Sequence, residues 1–199
     1  MASVSAFLLA VFLAILAYQK ILRFSGNFHV VVSDEFYRSA QLSPAALEGY
    51  VRKYGIKTIL NLRGAAPDKD WYAAEKRIAD SNGLTMIDFG MSATKPFTPD
   101  MAVELISRMR DAQKPILVHC LDGADRTGLV AVIYSNRLAG VDEKTAEGQL
   151  TPLYGHFGIP YLSPTYAMDT SWENLKAFFA ADASLEEVHR GEPRHDPAL

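Results

Sequence analysis

The chain has 199 residues, 49% of them hydrophobic and 22% charged, and a formal net charge of −3. That length and balance suit one globular domain with a sizeable core, and the slight acidity without any basic block gives no reason to expect nucleic acid. A single cysteine excludes an internal disulfide framework, and no Cys/His cluster has zinc spacing; neither a metal nor a cofactor is expected.

From Ala6 to Tyr18 the chain reads AFLLAVFLAILAY, apolar throughout, before Lys20 and Arg23 interrupt. The bare run is short for a transmembrane helix and could be the core of a signal peptide. Against a signal peptide, the opening MASVS has no Lys or Arg, and no good A-x-A cleavage site follows. Taken as one helix, residues 4–24 reach about 31 Å, close to the ~30 Å hydrocarbon core, with Lys20 and Arg23 snorkelling at the end. A buried core helix is the plainer alternative, but a helix apolar on every face fits lipid better. Residues 1–24 are expected to be a retained single-pass membrane anchor. The two cations after the span lean towards a cytoplasmic catalytic part.

Beyond the anchor, HVVVS and FYRSAQ read as short strands. SPAALEGYVRKYG opens as a helix on Ser-Pro and closes on Gly55. IKTILNLR is a buried strand, DWYAAEKRIADSNG a helix stopped at Gly83, and LTMIDFG another strand. After the loop MSATKPF, the helix TPDMAVELISRMRDAQK has Thr98 or Asp100 as cap and Pro99 in its first turn. PILVH is an apolar strand, CLDGADR a turn, and TGLVAVIYSNRLAG a helix ending at Gly140. DEKTAEGQL and YAMDTSWENLKAFFAA add two more helices. Alternating strands and helices predict an α/β domain over residues 25–183, with a central, mainly parallel sheet flanked by helices and preceded by the hydrophobic helix. Residues 184–199, polar and Pro-containing, are expected to be a mobile tail.

Cys120, the only thiol, lies at the carboxyl end of the buried strand PILVH, with a helix expected about seven residues later. Ligands of open α/β sheets bind at that edge. Backbone N–H groups of a tight turn entering a helix, with the helix dipole behind them, attract an anion and favour a thiolate. Gly123 permits the turn, Gly128 is expected to let the helix pack closely on the sheet, and Arg126 offers a planar fork of donors to a phosphate. Leu121, Asp122, Gly123, Ala124 and Asp125 complete a phosphate-binding loop between Cys120 and Arg126. A buried structural cysteine is the bland alternative.

His119-Cys120-x-x-Gly123-x-x-Arg126-Thr127 resembles the H-C-x5-R-[ST] loop of the protein tyrosine phosphatase superfamily, in its compact dual-specificity branch. YRSAQLSP and IKTILNLRG are similar to the early part of bacterial and plant-like members, and the resemblance runs roughly from Phe28 to Ala180. It implies Cys120 as nucleophile, Arg126 as phosphate binder and Thr127 as the hydroxyl that helps sulfur leave the phosphoenzyme. A free thiol near neutrality is about 3% ionised, so complete ionisation gains only about 30-fold, or ~2 kcal/mol. Most acceleration must therefore come from Arg126 and the loop N–H groups, which hold the phosphoryl group in line without a metal. A rhodanese-like sulfurtransferase also uses a cysteine loop, but has no need of Asp125-Arg126-Thr127.

The loop that carries the general acid in commoner members matches GMSATKPF here, which has no carboxylate. Asp125 is the expected acid and Asp88 the alternative, with a loop-stabilising Asp125–Arg126 pair as the plain reading. CLDGADR also resembles the C-x-D-G-x-D-R loop of myotubularin-type lipid phosphatases, which implies Asp122 as a second acid. Arg38 and Arg63 follow strands and could brace the loop, although structural ion pairing is the simpler role. Lys95 is a candidate rim cation, and His119 reads as a buried histidine that orders the loop. Gln149, Tyr154 and His156 could line the pocket or position water. These residues describe a membrane-anchored cysteine phosphatase of the dual-specificity or tyrosine type, acting on a phosphorylated protein. The alternatives are a phosphatase for a membrane phospholipid head group and a catalytically weak phospho-binding module.

Overall fold

The computed structural model describes the backbone of residues 2–190 and the side chains of residues 4–181. In chain order the elements are α1 (Ala2–Phe24), β1 (His29–Val32), β2 (Phe36–Ser39), α2 (Pro44–Tyr54), β3 (Thr58–Asn61), α3 (Asp70–Asn82), β4 (Thr85–Asp88) and α4 (Pro99–Asp111). Then come β5 (Ile116–His119), α5 (Asp125–Arg137), α6 (Glu143–Glu147) and α7 (Ala167–Arg190). Two single 3-10 turns, Pro152–Tyr154 and Pro164–Tyr166, lie between α6 and α7, where no element was expected.

The strands form one five-stranded sheet in the order β1-β2-β5-β3-β4. Only β1–β2 is antiparallel; β5 runs parallel to both β2 and β3. Residues of β2, β3 and β5 are all buried, as expected for strands covered on both faces. One face packs Phe36, Leu60, Ile116 and Val118 against α4, α5 and α7, with Leu105, Val130, Ile133 and Leu175 at the centre. The other packs Tyr37, Ile59 and Leu117 against α2 and α3 through Leu47, Val51 and Ile78. The chain is thus the mainly parallel α/β sandwich expected.

Helix ends follow the local chemistry. Ser43 caps α2 and Thr98, rather than Asp100, caps α4, each by accepting a bond from a backbone N–H three residues on. Gly55 and Gly83 end α2 and α3 in the left-handed conformation. Helix α4 stops at Asp111, short of the expected Lys114, where the chain turns extended before a cis Lys114–Pro115 bond. Helix α7 continues to Arg190, into the segment expected as a tail; residues 191–199 lie outside the described residues.

Helix α1 stands apart from both core clusters. Its 4–24 stretch has a mean hydropathy of 2.0 and is not buried in the domain, and it is long and apolar enough to cross a membrane. Val4, Phe7, Leu8, Phe12 and Ile21 are all exposed. The junction behind it is not a loose tether. Gly26 and Asn27 are buried, the Gly26 carbonyl accepts from the Ala40 N–H at 2.8 Å, and Asn27 Nδ2 donates to the carbonyls of Asp122 and Tyr154.

Candidate active site

Strand β5 ends at the middle of the sheet, so Cys120, the next residue, emerges between the carboxyl ends of β2 and β3. Ser39 and Asn61 both pair with His119 there. Cys120 is 3% exposed and is the only cysteine. Helix α5 begins at Asp125, two residues earlier than the sequence suggested, so Asp125, Arg126 and Thr127 form its first turn. The unpaired N–H groups of a helix start therefore face the loop that rises from Cys120.

Gly123 is indispensable to this closure. Its φ is +69°, and a Cβ there would lie 2.5 Å from Ala40 N and 2.6 Å from the Ser39 carbonyl carbon. The loop is pressed against the end of β2. Gly128, expected to sit close to the sheet, instead faces the segment after α6: a Cβ would meet Leu150 Cδ1 at 2.7 Å and Gln149 O at 3.1 Å.

Arginines surround the loop in three ways. Arg38 is fully buried and donates to Gly123 O at 2.8 Å and to both oxygens of Gln149, while its guanidinium lies 4.1 Å from the Tyr154 ring centre. It braces the loop through carbonyls rather than an ion pair. Burial lowers it to about 10, which leaves it charged at neutral pH. Arg126 donates from Nη1 to Leu62 O at 3.1 Å and Met91 O at 3.3 Å, and so holds the loops after β3 and β4 over the site. Arg63 stacks on Trp71 at 3.6 Å and donates to Gln41 Oε1. It is lowered by burial and by neighbouring Arg126.

His119 is buried with its ring nitrogens 3.3 Å from the Cys120 carbonyl oxygen and 3.0 Å from Glu75 Oε1. Glu75 Oε2 accepts from Gln41, the same side chain that receives Arg63. A polar chain thus runs from the base of the loop to a rim arginine. Glu75 and Gln41 carry no recognisable motif, and only the fold brings them here.

Asp125 does not pair with Arg126. Its Oδ1 lies 2.7 Å from His156 Nδ1, and His156 Nε2 lies 2.9 Å from Asp169 Oδ2. Burial opposes charging of His156, but the hydrogen bonds and charges of Asp125 and Asp169 outweigh it and push the imidazole up to about 9. Asp169, in the first turn of α7, belongs to no recognisable motif. Asp88 is committed elsewhere: it accepts from Asn61 Nδ2 at 2.7 Å and from the Tyr72 hydroxyl at 2.5 Å, a bond that pushes Tyr72 up to about 12.

Asp122 turns outward to Arg23 of α1, 3.5 Å away, and Leu121 accepts from the Gln41 N–H through its carbonyl. Ala124, the residue before α5, is buried. Lys95 is exposed on the loop between β4 and α4. Thr127 Oγ1 is buried and has no partner, as do Ser39 Oγ and Arg38 Nε. An unpaired buried hydroxyl is costly unless it is kept for a bond the resting site does not make.

A family model described as a DSP-PTPase phosphatase fused to NAD+ kinase matches residues 22–153. No curated protein matches the chain. Solved structures share the fold. The core catalytic domain of the PP-IP phosphatase SIW14 from S. cerevisiae, in complex with citrate, is 20% identical, with a TM-score of 0.56 over 72% of this chain and 83% of that one. Tk-PTP in one mutant form is 14% identical, with a TM-score of 0.54 over 75% and 97%. P. aeruginosa TpbA in complex with phosphotyrosine is 21% identical, with a TM-score of 0.50 over 66% and 76%.

Proposed function

Because the chain belongs to this DSP-PTPase family, the compact cysteine-based branch of the tyrosine phosphatases, we propose that it hydrolyses phosphomonoesters through a phosphocysteine on Cys120, at a membrane that α1 spans. The carrying observation is the position of Cys120 beneath a loop that Gly123 closes and α5 enters at Asp125.

In the first step Cys120 Sγ attacks phosphorus and the P–O ester bond breaks. Arg126 and the first-turn N–H groups hold the charge on the three equatorial oxygens. The leaving oxygen takes the Nδ1 proton of His156, relayed through Asp125, which leaves Asp125 a carboxylate and the imidazole neutral; Asp169 keeps the ring oriented from the other side. In the second step water attacks the phosphocysteine, Asp125 takes its proton and passes it back to His156 Nδ1, and the P–S bond breaks. Thr127 donates its unpaired hydroxyl hydrogen to the departing sulfur. The charge is carried by Arg126 and backbone dipoles, so no step calls for a metal.

The anchor reading rests on the length and hydropathy of α1 and on the buried Gly26–Asn27 junction, which makes its last turn part of the domain.

The deciding experiment is turnover of an aryl phosphate with chelator present, followed by acid quench of a radiolabelled substrate. A labelled phosphoenzyme in the wild type that is missing in Cys120→Ser, with phosphate-ester binding retained, is the expected result. Turnover that survives Cys120→Ser, or that chelator abolishes, would overturn the reading.

A further inference from the structure

A cavity of about 200 Å³ opens beside the catalytic loop, and its walls have two origins. Asp122, Ala124 and Asp125 form one side together with Tyr154 and Gly155. The last two turns of α1 form the other, through Leu16, Gln19, Lys20, Leu22 and Arg23. The two sides are joined by direct bonds. Tyr18 donates its hydroxyl to Leu153 O at 2.9 Å, Gln19 Nε2 donates to Gly155 O at 3.2 Å, and Arg23 pairs with Asp122. The Tyr18 ring also meets Phe157 edge-on.

The surface around this junction is apolar where a purely aqueous site would be polar. Leu153, whose carbonyl accepts from Tyr18, is 64% exposed, and further along the same segment Leu162 is 79% exposed and Tyr161 fully so. Ile21 and Phe24 continue the exposed apolar surface to the end of the helix. Exposed apolar side chains on a segment bonded to a membrane-length helix are suited to contact with lipid.

Depth then limits the substrate. From Tyr18 to Arg23 the helix rises about 8 Å, roughly the thickness of one interfacial layer between hydrocarbon and water. Tyr18, Lys20 and Arg23 set this stretch in the interfacial layer, with the wholly apolar turns before it in hydrocarbon, so the cavity lies at the level of lipid phosphates. We propose that the substrate is a membrane lipid phosphomonoester whose terminal phosphate lies close to its glycerol, taken directly from the leaflet in which α1 ends; this rests on the phosphatase reading above. Its apolar body stays in the leaflet beside Leu16 and Leu22, while its phosphate reaches Cys120 past Gln19 and Lys20. Asp122 and Asp125 on the opposite wall disfavour a head group carrying several phosphates.

The test uses the full chain reconstituted in phosphatidylcholine vesicles that contain phosphatidate as the probe. A soluble aryl phosphate and a phosphotyrosyl peptide serve as separate substrates. Phosphatidate should be hydrolysed with a kcat/KM at least about tenfold above that for the peptide, since both enzyme and lipid are confined to the surface. The double variant Tyr161→Ser/Leu162→Ser, altered only at exposed positions outside the cavity, should lose about tenfold on vesicles while aryl phosphate stays within about twofold. Preference for the peptide, with vesicles ignored and aryl phosphate cleaved, would overturn the lipid assignment and leave the phosphatase reading standing. An equal effect of the double variant on both substrates would also overturn it. Failure to cleave aryl phosphate at all would instead sink the phosphatase reading itself.

Discussion

His156 holds two carboxylates 2.7 and 2.9 Å away, one at the catalytic loop and one on α7. If its Nδ1 proton resupplies Asp125, activity on substrates with poor leaving groups should fall as pH rises through about 9, where the imidazole loses that proton. Asp169→Asn removes one charge that raises the imidazole, so the alkaline limb should move to lower pH. A limb unchanged in that variant would separate His156 from proton supply. The same shift bears on stability. The folded value lies above the ordinary 6.5, so the contribution is complete below about 6.5 and disappears as pH rises through about 9. Asp125→Asn should slow alkyl phosphates by about a hundredfold or more, yet barely affect aryl esters that depart without a proton. Asp88→Asn should show no such dependence on the leaving group, because both its oxygens already serve Asn61 and Tyr72. The opposite pattern would transfer the acid role to Asp88.

The link between β5 and α5 depends on two glycines that differ in what they touch. Gly123→Ala sets a methyl group against the backbone of Ser39 and Ala40 in a left-handed conformation, and backbone cannot give way as a side chain can. A loss of at least about 2 kcal/mol is expected, roughly 4–8 °C in a chain of this size, together with most of the activity. Gly128→Ala meets chiefly a flexible leucine tip, with the Gln149 carbonyl at 3.1 Å having to give by only a few tenths of an ångström, and should cost about half as much or less. Thermal melts of the two variants check the order. The elements themselves were legible because β-branched runs, Ser-Pro and Thr-Pro starts and glycine stops each have a local physical cause. The Cys120–Thr127 loop was legible for the same reason: all its parts are consecutive. The partners of that loop were not. Asp169 lies on α7, Glu75 on α3 and Asn27 behind α1, and they reach the loop, Asp169 through His156 and Glu75 through His119, only by chain crossings that no local pattern encodes. Gly128 meets the short chain after α6 rather than the sheet, and that chain has no periodicity to place it.

At the scale of the whole molecule, the domain carries its hydrophobic helix as a structural member of the site. The full chain should remain with the membrane after alkaline carbonate washing and leave it only in detergent, with its original amino terminus intact; release into the wash, or a new terminus near residue 25, would identify a cleaved leader instead. Proteases provide a further readout of that junction. An attacking protease needs an extended stretch of several residues free of other bonds, and it finds them in linkers. Between α1 and β1 the chain has none to offer: Gly26 is tied to Ala40, and Asn27 is tied to the backbone of Asp122 and Tyr154. Limited digestion of the folded protein should therefore spare residues 24–28. A cut there would require the catalytic loop to lose its support first, so nicking at the junction and loss of phosphatase activity should follow a single time course.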